Sequence, residues 1–142
     1  MSSENNGPNV TFQAGEAVTH HALVMLEAAS ATIPPEVIET TGGQNADLTV
    51  LGTVAGGEDG PGDVADGDPV NVRMLNCVAT AKMIAAKAIA VGDACFSAAD
   101  GKVTDATTSE SFIGIAVEAA ADDGDIIEVA IQTQTYDAVD AT

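Results

Sequence analysis

Apolar and polar residues alternate in short runs along most of this chain, and the clearest alternation lies between Phe112 and Gln132. Ile113, Ile115 and Val117 share one face of a first predicted strand; Ile127, Val129 and Ile131 share one face of a second. Period-two spacing of β-branched residues on both sides of a tight, acidic, glycine-containing turn predicts a β-hairpin. Its six aliphatic side chains are the expected core face, or a core shared across an oligomer axis. Gly114 predicts a bulge or a close backbone approach.

The same reading gives several shorter strands upstream. Val10–Phe12 has β character at the end of a polar stretch, and the apolar run 22–28 suits a buried strand. Pro34 and Pro35 then break the ladder. Residues 36–41 and 47–54 predict two more strands, the latter placing Leu48, Val50 and Val54 on one face. The glycine-rich, acidic stretch 56–68 reads as a surface loop. Val70, Val72 and Met74 alternate with polar neighbours. Residues 91–97 and 102–105 flank Asp100-Gly101, a hairpin turn signal because Gly accepts positive φ. Residues 79–88, alanine-rich with Lys82 and Lys87, are the one segment with helix propensity. No repeat of 20 to 50 residues is evident. The expected fold is mainly β, a small sandwich or barrel in a single domain with at most one short helix. A flexible N-terminal arm over 1–20, a β-rich domain over 21–132 and a C-terminal tail over 133–142 complete it.

Composition sharpens this in two respects. Hydrophobic residues make up 46% of the 142 residues but aromatics only 3%, because alanine supplies much of the apolar count. Large side chains to fill a core are few, which favours an oligomer or an external partner. Lys and Arg number 4 against 22 Asp and Glu, for a net charge of −18. Phosphate backbones and anionic membranes repel such a chain, so neither nucleic acid nor membrane is an expected partner. No apolar run reaches the roughly 18 residues of a membrane span, and residues 1–9 lack the basic and apolar regions of a secretory leader.

The search for chemistry finds no catalytic, cofactor or metal site. Asp122, Asp123 and Asp125 around Gly124 read as a turn. Asp59, Asp63, Asp66 and Asp68 are the only candidate Ca²⁺ ligands, without the spacing of an EF-hand loop. His20 and His21, adjacent on a strand, would point to opposite faces and could not share a metal. Cys77 and Cys95 belong to no CxxC pattern, and no Gly-x-Ser-x-Gly elbow or phosphate loop is present.

The order of several segments says more. Asp68–Leu75, "AIAVGD" at 88–93, "AADGKV" at 98–103, "IGIAVEAA" at 113–120 and "GDIIEV" at 124–129 together resemble a tailed-phage capsid decoration (cement) protein. The resemblance covers residues 64–132. It implies a β-tulip-like domain that trimerises on the outer face of an icosahedral head, bridging neighbouring major capsid proteins without a cofactor. On that reading Val10, Thr11 and Phe12 in the arm are candidate capsid contacts, by strand addition to a sheet edge. Arg73, Lys82, Lys87 and Lys102 are candidates to pair with acids on the capsid or across the trimer. An acidic Ca²⁺-binding module using 56–68 and a carboxylate hydrolase are the competing readings. The second would need a carboxyl with a strongly perturbed pKa in a pocket.

Overall fold

In the computed structural model the period-two segments become ten strands that form two closed five-stranded barrels in tandem. The structure describes residues 8–27, 32–41, 50–106 and 111–132. Barrel one contains β1 (Asn9–Ala14), β2 (Leu23–Leu26), β3 (Glu36–Glu39), β4 (Val50–Gly56) and β5 (Pro69–Met74), in the order β1-β3-β2-β4-β5. A 3-10 turn at Leu75–Cys77 leads into barrel two. That barrel contains β6 (Thr80–Ala85), β7 (Ala94–Ser97), β8 (Lys102–Thr104), β9 (Phe112–Ala116) and β10 (Ile126–Ile131), in the order β10-β6-β8-β7-β9. Closure leaves no long free sheet edge on either unit.

The two barrels are copies of one topology. In each, the first strand runs parallel to the third and antiparallel to the fifth, while the fourth pairs with the second and the fifth. The copies match residue by residue. Gln13↔Glu36 and Ala14↔Val37 in barrel one correspond to Ile84↔Lys102 and Ala85↔Val103 in barrel two. Both also carry a bulge at the same place, between Val24 and Met25 and between Cys95 and Phe96. Gly52 and Gly114 are equivalent for a shared reason. A Cβ at either would overlap a backbone carbonyl on the neighbouring strand, that of Arg73 or of Ala130. The sequence search missed this duplication because it tested shorter periods. The loops of barrel two are also shorter, so the offset between copies drifts along the chain.

Each barrel closes on a small aliphatic core. Val24, Val37, Val54, Val70 and Val72 fill the first; Met83, Cys95, Val103, Ile127 and Val129 fill the second. Two side chains cross over. Leu23 of β2 packs into the core of barrel two, and Ile84 of β6 packs against the core of barrel one. The Ala98–Gly101 hairpin tip completes the junction. Leu23 N–H donates to the Gly101 carbonyl at 2.8 Å, and Thr40 Oγ1 donates to the Ala98 carbonyl at 2.7 Å. Asp100 and Gly101 both have positive φ, as the turn signal predicted.

Several expectations need correction. Residues 80–85 are strand β6 rather than helix: the segment alternates, with Lys82 outward and Met83 inward, and β10 and β8 pair with its backbone. Packing overrides the weak helix preference of alanine. The predicted arm contains β1, which pairs with β5 from Asn9 to Gln13, and Val18, which bridges to Val64. Residues 1–7 and the tail 133–142 lie outside the described residues, as does Leu48. Val50 and Val54 do not share a face: Val50 packs against the core of barrel two, Val54 in that of barrel one.

In the C-terminal hairpin Ile113, Ile127 and Val129 are buried and Ile131 packs beside them, but Ile115 is half-buried and Val117 is 46% exposed. The bulge at Ile113 is the reason, since one extra residue reverses the parity of the strand beyond it. The connection between β9 and β10 is also longer than a tight turn, with Ala120 bridging back to Ile89. Its acidic end does turn as expected. Asp125 Oδ2 accepts the backbone N–H groups of Ala121 and Asp122, and Gly124 takes positive φ.

Candidate functional site

The junction between the barrels leaves a groove of about 550 Å³. Barrel one lines it with Thr19, His20, His21, Glu39 and Asp63; barrel two lines it with Ile84, Asp100, Lys102, Gly124 and Ile126. The histidines lie on the turn before β2, not on a strand, so the prediction that they diverge fails. Their rings stack, with centroids 3.7 Å apart and planes 21° from parallel. His21 adopts φ of 73°, a left-handed conformation unfavourable for most residues. Barrel two has Gly92 at the equivalent position, with φ of 92°. The turn is fixed by its backbone: His21 N–H donates to the Val54 carbonyl, as Gly92 N–H does to the Ala116 carbonyl.

The carboxylates of the groove are largely engaged by backbone. Asp63 accepts His20 N–H and Glu39 accepts Thr19 N–H, each at 2.8 Å, while Glu16 accepts Glu39 N–H at 2.9 Å. Burial raises the Glu39 pKa above its ordinary value, against the lowering effect of the Thr19 hydrogen bond. Burial, reinforced by the neighbouring charges of His20 and Lys82, lowers that of His21. The hydrogen bond that Lys102 Nζ donates to Asp123 Oδ1 at 2.7 Å raises that of Lys102. The groove carries charge of both signs, with Glu39 and Lys102 half-buried and Asp63 and Asp100 exposed. Among the described residues no three His, Cys, Asp or Glu side chains are placed to hold a metal ion.

The loop 56–68 is less free than its composition suggested. Gly57 and Gly60 bridge each other, Val64 is buried against barrel one, and Asp63 is committed to the histidine turn. Val10, Thr11 and Phe12 sit in β1, with Phe12 packed against the core and Thr11 exposed. Lys87 pairs with Asp105 at 3.1 Å and Lys102 with Asp123. Arg73 and Lys82 are exposed and have no carboxylate within ion-pair distance among the described residues. Cys77 and Cys95 are both free thiols, one exposed and one buried. Burial, with Asp93 and Asp105 nearby, pushes Cys95 up to about 11, which makes it an inert core residue.

Sequence reasoning missed the groove because its two walls come from segments that the duplication, unrecognised in the sequence, brings together. One signal was available. Asp66-Gly-Asp-Pro-Val-Asn-Val72 and Asp123-Gly-Asp-Ile-Ile-Glu-Val129 align without a gap.

The family model described as phage cement protein matches residues 3–131. No curated protein matches the sequence significantly. Among solved structures the fold is similar to one titled as the crystal structure of the head fiber gp8.5 N base in bacteriophage phi29. The TM-score is 0.61 at 21% sequence identity, covering 91% of this chain and 97% of that one.

Proposed function

The chain belongs to the phage cement protein family, a structural component of the phage capsid, and from that premise we propose that it binds the outer face of the head as a trimer. There it bridges neighbouring major capsid proteins and stabilises the shell without catalysing a reaction. The observation that carries this reading is the family match over nearly the whole chain. Its charge supports it: a net −18 suits the solvent side of a virion, away from packaged DNA. Arg73 and Lys82, exposed and without an ion-pair partner among the described residues, are the proposed capsid-facing charges, with Val10, Thr11 and Phe12 of β1 as further contacts.

Adding the purified chain to expanded heads that lack it tests the proposal. The chain should sediment with the heads, saturate at a fixed ratio, and raise the temperature at which they release DNA. Arg73→Glu combined with Lys82→Glu should weaken the binding. Heads that neither bind the chain nor gain stability from it would refute the proposal.

A further inference from the structure

Backbone strain in this chain is concentrated at the groove between the barrels. Among the described residues two that are not glycine have positive φ, His21 at 73° and Asp100 at 61°. Both line the groove, one from each barrel. Glycine serves at the position of His21 in barrel two, where Gly92 takes φ of 92°, so the turn itself does not require an imidazole. Residues held in such unfavourable conformations cluster at ligand sites, where the placement of the side chain outweighs the ease of the backbone. The volume of about 550 Å³ lies within the range of ligand clefts, roughly 300–1,000 Å³.

The lining offers three kinds of surface. Ile84 and Ile126 are aliphatic, and Ile126 is 51% exposed. The stacked rings of His20 and His21 form a flat pair. Burial, reinforced by the charges of His20 and Lys82, favours the neutral form of His21, and a neutral ring accepts a stacked cation. The third surface is acidic. Glu39, Asp63 and Asp100 stand against one ammonium, that of Lys102, which is drawn off to Asp123 at 2.7 Å. Asp63 and Asp100 are exposed and enter no ion pair among the described residues. Burial, and to a smaller extent the charges of Glu16 and Asp100, raise the Glu39 pKa against its hydrogen bonds from Thr19. A cation in the groove would offset each of these.

One protein side chain matches all three surfaces. Arginine carries a permanent charge, a planar group that stacks on aromatic faces and pairs with two carboxylate oxygens at once, and an aliphatic stem. We propose that the groove receives an arginine side chain of a partner protein, with its guanidinium against the His20–His21 stack and paired to Asp63 and Asp100, and its stem along Ile126. Lysine keeps the charge but forgoes the stack. An uncharged side chain forgoes the carboxylates. Each barrel supplies one of the two strained residues, so neither barrel alone forms the site.

Titrating the isotope-labelled full chain with the peptide acetyl-Gly-Arg-Gly-amide, followed by amide NMR shifts, tests the site. Saturable shifts should centre on residues 19–21, Asp63, 100–102 and 124–126. The same peptide with citrulline for arginine has the shape without the charge and should bind about tenfold more weakly or worse. The lysine peptide should bind about threefold more weakly than the arginine one. Asp100→Asn keeps a residue tolerant of left-handed φ, so the variant should fold like the wild type and bind the arginine peptide about fivefold more weakly or worse. His20→Ala leaves in place the backbone N–H that Asp63 accepts and should abolish the preference for arginine over lysine. The citrulline comparison, made on the wild type, decides the matter if either variant fails to fold. No saturable shift at millimolar peptide, shifts centred elsewhere, or equal binding of the arginine and citrulline peptides would overturn the proposal.

Discussion

Leu23 belongs by sequence to the second strand of barrel one, yet its side chain completes the core of barrel two. Leu23→Ala should therefore damage the barrel in which the residue does not lie. The side chain is fully buried, and its cluster includes Met83, Val103, Ile127 and Val129. Leu-to-Ala changes in cores destabilise by about 2–5 kcal/mol, the larger values where the cavity cannot collapse. Here the walls are strands of two closed barrels, and the Leu23 backbone is held to Gly101 by a 2.8 Å hydrogen bond. A loss near the middle of that range, ~3 kcal/mol, should lower the melting temperature by about 10 °C for a chain of this size. The equivalent position in barrel two is Ala94, so alanine suits the barrel itself and the loss belongs to the junction. Hydrogen exchange followed by mass spectrometry gives the decisive readout. Protection should fall in β6 and β10 at least as much as in β1 to β5. Val24→Ala, which empties barrel one alone, is the matched control. If Leu23→Ala loosens only β1 to β5 and leaves β6 to β10 unchanged, the assignment of Leu23 to the second core is wrong.

Two glycines of barrel two should respond differently to alanine. Gly114→Ala drives a Cβ into the Ala130 carbonyl and should cost about 3 kcal/mol, the scale of overpacking. Gly124→Ala meets open space and bears only the strain of its φ of 96°, about 1 kcal/mol. Urea midpoints in the reverse order would contradict the close strand approach. The His21 shift gives a pH dependence. Its pKa is lower in the folded chain than the ordinary histidine value of 6.5, so between the two values the unfolded chain binds more protons. The neutral ring's contribution is complete above the unfolded pKa and is lost as pH falls from it toward the folded value. Melting temperatures from pH 7.5 to 5 should decline less steeply in His21→Gln than in the wild type, and parallel curves would rule this out.

Much of the fold was legible because strand periodicity is local. Val70 and Val72, the Asp100-Gly101 hairpin and the acidic turn at Asp122–Asp125 follow from spacing and turn chemistry alone. Three features were not legible. Residues 80–85 carry helix-forming alanines, and only their pairing with β10 and β8 makes them a strand. The parity of β9 depends on a bulge at Ile113, a register event between two strands that neither sequence encodes alone. The groove depends on the duplication. Its walls come from Thr19–His21 and from Lys102 and Gly124, distant segments with no common motif.

The positions at which the two barrels agree and differ separate folding constraints from surface ones. They agree where the backbone leaves no choice. Gly52 and Gly114 permit the close strand approach, Gly67 and Gly124 take positive φ, and Ala14 and Ala85 are fully buried at the parallel pairing. They differ at positions outside the cores: His20 against Val91, Glu16 against Lys87, Glu36 against Lys102. The shared set is what closing a five-stranded barrel requires, and the differing set is where the chain can vary without disturbing that closure, so substitutions at the first should cost folding and substitutions at the second should not.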